Sequence, residues 1–369
     1  MAMAADWSSL TSDLVGLVAD SLLASGDIDC YVSLRAVCHH WRNATADPRG
    51  PDPRFLPRRW VMLDSRAANV QDSRRLFLNV DTDNFVWKDL PVLRDYDCLA
   101  ADSDGLLVLQ GPGDSKKISA LNPFTGAWIR FPVYAVCAPR RRAVAVGSSP
   151  MMKLYILDDR KHVATVDPTD ELASRWIFTA KPALESFASV ISFQGQVYAM
   201  DQYGMLVLFE DHSRITTIIA DDGKQAWHPS FLVDNAGELL VVHAPVFEND
   251  IMRVFSVDLE NKVLERINSI GNRAIFLGGR SLSVDADNLP TVEANCIYYI
   301  GGLSGSNQHG FYMFRLDNDG IEKPIEATDI MLIEGNRQHP LRPLSLTRIL
   351  MDHANYGNVM EFRNLGAYM

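Results

Sequence analysis

Cys30 and the run Cys38-His39-His40 are the residue types that hold zinc. A zinc site wants about four such ligands in pairs at finger or ribbon spacing. The chain has no CxxC pair, and the interval from Cys30 to Cys38 matches no such pattern, so no metal is expected. Asp102-Ser103-Asp104-Gly105 and Asp317-Asn318-Asp319-Gly320 have the texture of calcium loops. The first ligand position is Ala100 in one and Arg315 in the other, where calcium needs a carboxylate, so both read as turns. Gly301-Gly302-Leu303-Ser304-Gly305-Ser306 approaches a nucleophile elbow around Ser304. That motif needs glycine where Ser306 stands, and a strand–turn–helix around it, so a hairpin loop is expected. His162, His212, His228, His243, His309, His339 and His353 form no HExxH or HxxxH set. Nothing here brings an acid, a base and a metal together, so the chain is expected to have no catalytic residues and no cofactor.

Bulk properties narrow the class further. The chain has 369 residues, 47% hydrophobic and 22% charged, in the range of an ordinary globular protein. A formal net charge of −11 speaks against a general binder of nucleic acid or anionic membrane, which needs a basic face. The one strong basic run, Arg140-Arg141-Arg142, reads as a solvated loop. Five widely spaced cysteines, Cys30, Cys38, Cys98, Cys137 and Cys296, fit reduced thiols better than a disulfide framework. With no secretory leader and no long apolar run, nucleus and/or cytoplasm is the expected location.

The elements fall into two unlike parts. From Thr11 onward, Leu14, Leu17, Val18 and Leu22 repeat at helical spacing, with Thr11 or Ser12 as N-cap and Asp13 suited to the helix dipole. Gly26 and Asp27 break that helix, and Tyr31, Leu34, Val37, Cys38 and Trp41 continue the helical spacing to about residue 46. ADPRGPDPRFLP then places four prolines and a glycine in twelve residues, so residues 47–57 read as a linker. Beyond Pro57 the runs are short and β-rich: GLLVLQG, KLYILDD, QVYAMDQYG, MLVLFED, ELLVVHAP, MRVFSVD and CIYYIGG. Asp104-Gly105, Asp222-Gly223, Asn235-Ala236-Gly237 and Asp319-Gly320 supply hairpin turns. Segments opening at Asp97, Phe187 and Phe231 repeat one grammar of strand, turn, strand, turn, strand and outer strand, with a period of about 40–50 residues. The expected fold is mainly β, a β-propeller of about six blades over residues 58–328, with a β-sandwich pair as the alternative. Residues 329–369 form a polar tail that either closes the propeller or stays loose.

The helical segment has more apolar side chain than two or three short helices can hide: Leu14, Leu17, Val18, Leu22, Leu34, Val37 and Trp41. The excess packs against the β domain or is covered by a partner.

Residues 7–46 resemble an F-box. The resemblance rests on Leu10, Asp13, Leu14, Leu17, Val18 and Leu22, and above all on the stretch LRAVCHHWR from Leu34 to Arg42. F-boxes usually open Leu-Pro, and here the pair is Leu10-Thr11. The rest of the chain is similar to the kelch-like β-propeller domain of unknown function that follows many plant F-boxes. DGLLVLQGPGD, ALNPFTGAWIRFP and the long segment from Asn272 to Gly302 carry that similarity. The two resemblances imply a substrate-recognition subunit of a Skp–cullin–F-box ubiquitin ligase. Leu10, Leu14, Leu17, Val18, Leu22, Leu34, Val37, Cys38 and Trp41 would dock a Skp-type adaptor, and through it a cullin. The propeller would bind an unknown target protein, with no nucleic acid and no membrane among the partners. The alternatives are a propeller interaction protein acting outside a ligase or with weakened adaptor binding, and a propeller enzyme or small-ligand sensor.

Overall fold

Helix α1 (Ser12–Ala24) carries apolar residues on two faces. Val15, Ala19 and Leu23 are buried, while Leu14, Leu17 and Val18 are exposed. Thr11 stands at its N-cap position in extended backbone, and its carbonyl accepts the Val15 N–H at 3.1 Å. The Thr11 side chain makes no capping hydrogen bond, contrary to the role expected of it. Helix α2 (Ile28–Val37) is capped by Asp27, whose carboxylate accepts the Cys30 N–H at 3.1 Å. Helix α3 (His39–Asn43) is capped by Cys38, whose Sγ accepts from Trp41 N at 3.5 Å.

The computed structural model describes residues 7–50, 52–63, 73–82, 84–101, 104–111, 117–134, 141–147, 152–158, 162–169, 175–178, 187–201, 204–210, 215–219, 229–245, 252–278, 281–287, 289, 291–302, 309–317, 322–324, 350–351 and 354. Most of the tail from 329 onward, Arg140, Asp102-Ser103, Asp222-Gly223, Asn318 to Gly320 and Leu303 to Ser306 lie outside the described residues. Their expected turns and loops do too.

The described strands form six sheets arranged as a β-propeller. The first holds β1 (Trp60–Leu63), β2 (Arg74–Asn79) and β3 (Phe85–Asp89). The second holds β4 (Asp97–Ala101), β5 (Leu107–Gln110), β6 (Lys117–Leu121) and β7 (Trp128–Tyr134). The third holds β8 (Arg141–Gly147), β9 (Lys153–Asp158), β10 (His162–Val166) and β11 (Arg175–Phe178). The fourth holds β12 (Phe187–Phe193), β13 (Gln196–Asp201), β14 (Leu206–Phe209) and β15 (Ile215–Ile219). The fifth holds β16 (Ser230–Asn235), β17 (Glu238–His243), β18 (Arg253–Asp258) and β19 (Val263–Ile267). The last holds β20 (Arg273–Phe276), β21 (Leu282–Asp285), β22 (Cys296–Gly302), β23 (His309–Arg315) and β24 (Glu322–Pro324) in the order β21-β20-β22-β23-β24. Here β20 runs parallel to β22; the other pairs are antiparallel. Five sheets have the four or more strands of a complete blade. The first stops at three among the described residues, so the count of complete blades is five where about six was expected.

The ring is held by seams between neighbouring sheets, and these explain the unbroken apolar runs. Along β17, Leu239 and Val241 pack against the fourth sheet while Leu240 and Val242 pack against the last. Along β22, Ile297 and Tyr299 face the fifth sheet, and Cys296 and Tyr298 face the first. A strand covered on both faces needs no polar alternation. The closing seam joins Leu63 and Leu78 of the first sheet to Phe276, Val284 and Tyr298 of the last. Helical residues Leu350, Met351 and Ala354, all fully buried, fill that same seam. Part of the tail is therefore built into the closure of the ring.

Candidate functional site: the uncovered face of the helical module

The helical module has a small core of its own. Val15, Ala19, Leu23, Tyr31, Leu34 and Phe55 are buried together, with Leu10, Leu22, Trp41 and Ala44 packed around them. Phe55 comes from the proline-rich connection, and its ring lies 5.2 Å from that of Tyr31. Tyr31 also donates its hydroxyl to Ala46 O at 2.8 Å. Arg35 and Arg42, prominent in the sequence, have a structural use here. Arg35 Nη1 donates to Thr45 O at 2.6 Å and Ala46 O at 2.5 Å, and Arg42 Nε donates to Arg35 O at 3.3 Å.

This packing divides the residues expected to dock an adaptor. Leu34 is only 7% exposed and belongs to the core. Leu10, Leu22 and Trp41 pack against the same core. Cys38 serves as the cap of α3. These five lie in or against the module's own core, and all but Leu34 remain half-exposed at its surface. The Trp41 Nε1 is buried with no hydrogen-bond partner among the described residues. Leu14, Leu17 and Val18 on α1 and Val37 at the end of α2 are exposed, Leu17 at 66% and Val37 at 58%. Trp7, in the 3-10 turn Trp7–Ser9, adds a further exposed ring at 68% that periodicity did not single out, because it precedes the helix. His40 holds this turn in place: its Nε2 lies 2.9 Å from Leu10 O.

The module is anchored to the ring through its other side. Ile28 is buried in the seam between the first two sheets, beside Trp60, Phe77 and Phe124. Lys88 on β3 pairs with Asp29, while Arg54 of the connection pairs with Asp20 at 3.1 Å. Trp60 Nε1 donates to Gly26 O at 3.2 Å, and Arg59 donates to Ser25 O at 3.1 Å. Asn122 Nδ2 donates to Phe55 O at 2.7 Å in a buried setting. The end of the connection, Arg54 to Pro57, is thus docked on the module and on the ring.

A network of charged and polar groups joins neighbouring sheets near this junction. Arg58 pairs with Asp104 at 2.8 Å, and Asp81 takes Arg59 at 3.1 Å and Arg273 at 3.8 Å. Arg273 Nε also donates to Ser283 Oγ at 2.8 Å, and Ser283 Oγ donates to Asn235 Oδ1 at 2.7 Å. Burial raises the Asp234 carboxyl above the usual carboxylate range, opposed by the Gly237 N–H and by the charges of Arg273 and Arg58.

The Cys30 thiol is pushed up to about 11, first by its interaction with the Asp27 side chain and then by burial, which keeps it protonated. Among the described residues no group of three or more His, Cys, Asp or Glu is placed to hold a metal ion. No helix among them is long and apolar enough to cross a membrane.

Residues 77–320, most of the chain and nearly the whole ring, match the family described as KIB1-4 beta-propeller. No curated protein matches the chain.

Proposed function

The chain belongs to the KIB1-4 beta-propeller family, and from that premise we propose that it is the substrate-recognition subunit of a Skp–cullin–F-box ubiquitin ligase. In this reading residues 7–46 are the F-box and the propeller receives the target protein.

One observation carries the reading. Helix α1 is apolar on two faces, and the module uses one of them for its own core while leaving Leu14, Leu17 and Val18 uncovered. The ring does not take up this face, because it holds the module by Ile28, Ser25, Gly26 and Asp29. Fully covering one such side chain contributes roughly 1.5–3 kcal/mol, so a partner over Leu14, Leu17, Val18 and Val37 gains enough to offset part of the cost of association. A Skp-type adaptor is the partner that the VCHHWR stretch of the module implies.

The chain itself performs no covalent step in this account. Ubiquitin transfer belongs to other subunits, and this chain raises the effective concentration of a target lysine near the charged carrier. The docked end of the connection and the anchored helices support that role, because contacts between module and ring hold the target at a set distance from the adaptor. The test is co-purification of the full chain with a Skp-type adaptor. A one-to-one complex is expected. Failure of the two folded proteins to associate would remove the ligase reading and leave a propeller that acts outside one.

A further inference from the structure

The outer edge of the first sheet carries a second uncovered surface, on the ring itself. Asn79 N donates to Asn84 O and Leu90 N donates to Ser73 O, each at 2.9 Å. With the β2–β3 register between them, Val86 and Lys88 turn their backbone groups toward β2. Phe85, Trp87 and Asp89 therefore turn theirs to the free edge, where no described strand pairs with them. Natural sheets blunt such edges with charge or proline. The edge strand β7 has Arg130 and Pro132, and β19 has Glu265 and Arg266. On β3 the outward positions instead hold two exposed aromatics, Phe85 at 46% and Trp87 at 63%.

At the far end of β3 the edge runs into an open groove of about 790 Å³ lined by Asp89, Leu90, Val92, Tyr96, Trp128 and Arg130. The Tyr96 and Trp128 rings meet edge to face at 5.3 Å. Exposed arginines frame the whole surface. Arg74 lies over the Trp87 ring at 5.9 Å, Arg94 stands on the following turn, and Arg130 makes no hydrogen bond or ion pair among the described residues. Among the described residues two exposed carboxylates, Asp89 and Asp95, oppose them, and Asp89 already accepts the Ser73 hydroxyl at 2.5 Å. Among the described residues the edge is thus locally basic, on a chain of net charge −11.

We propose that β3 and this groove form a docking site for an extended acidic segment of a partner protein, added to the sheet as a further strand. Its main chain pairs with Phe85, Trp87 and Asp89, alternate apolar side chains lie on Phe85 and Trp87, and a carboxylate reaches Arg130. Charge decides against a second copy of this chain, since two such edges would bring like arginines together. The site is separate from the helical face described above and does not depend on it.

The test pans a displayed library of random peptides of about ten residues on the full chain, then measures the enriched sequences by fluorescence anisotropy. Acidic peptides with alternating apolar residues are expected. Arg130→Glu should weaken them about tenfold, the worth of one charge-assisted pair. Phe85→Pro should weaken them more than Phe85→Ala, because proline also removes an outward N–H without touching the β2–β3 ladder. Melting curves check that each variant stays folded, and adaptor binding should be unchanged in all three. The proposal is overturned if no peptide is enriched, if the enriched peptides are basic, or if they bind the variants as well as wild type. A dimer in sedimentation that Phe85→Pro dissociates would overturn it too, by making a second copy the occupant.

Discussion

Gly105 lies against Pro57 so closely that a Cβ on the glycine would overlap the proline's carbonyl oxygen, and the glycine holds φ at +77°. This contact between the first turn of the second sheet and the last residue of the proline-rich connection fixes where the chain enters the ring. Asp104, beside the glycine, then pairs with Arg58, beside the proline.

Gly105→Ala is expected to destabilise the full chain by more than about 3 kcal/mol, since it adds left-handed backbone strain to a clash with a main-chain oxygen. Gly26→Ala has the same kind of strain, with φ at +72°, but its Cβ would meet the flexible Arg59 side chain at 2.8 Å. Arg59 can yield by giving up its bond to Ser25 O, so the loss should stay at about 2 kcal/mol, the backbone term plus that bond. Chemical denaturation of the two variants orders them. Equal losses would show that the Pro57 contact does not hold the junction.

Leu17 and Leu34 lie on neighbouring helices of one module and should behave in opposite ways. Leu34→Ala removes a core side chain and is expected to cost about 2–5 kcal/mol. Leu17→Asp changes an exposed position and should stay within about 0.5 kcal/mol of wild type. Thermal melts decide the point. A Leu17→Asp protein as unstable as Leu34→Ala would mean that the exposed face of α1 is covered within the chain.

Asp234 predicts a pH effect of defined sign. Its carboxyl is raised, chiefly by burial. Between the unfolded carboxylate value, about 3.9, and the raised folded one, the native state keeps a proton that the unfolded chain has lost. Stability from this residue is therefore full at low pH and declines as pH rises through that window. Asp234→Asn removes the charge and keeps an oxygen to accept the Gly237 N–H, now at 2.7 Å. The variant should match wild type near the bottom of the window and exceed it at neutral pH. A variant less stable at neutral pH would show that attraction to Arg273 and Arg58 outweighs burial.

The strands and their repeat were legible because each blade contributes runs such as ELLVVH and CIYYIGG, whose lengths and turns fit strands and nothing else. The blade count was less legible, because a strand count from sequence cannot show that the first sheet stops at three among the described residues. For α1, periodicity found Leu14, Leu17, Val18 and Leu22, yet Val15, Ala19 and Leu23 form the buried stripe. Both sets repeat at helical spacing, and only the neighbouring Tyr31, Leu34 and Phe55 decide which one turns inward. Trp41, prominent by residue type, packs against the module's core and stays half-buried. Phe85 and Trp87 went unnoticed because alternation with Val86 and Lys88 reads as an ordinary half-buried strand.

The central claim is that Leu14, Leu17 and Val18 form a face for an adaptor. The most direct measurement is calorimetric titration of a Skp-type adaptor into the full chain, wild type beside Leu14→Asp/Leu17→Asp. One-to-one binding by wild type is expected, with loss of at least about a hundredfold in the double variant at unchanged melting temperature. Equal binding by the two proteins would contradict the account and place the adaptor, or the function, elsewhere.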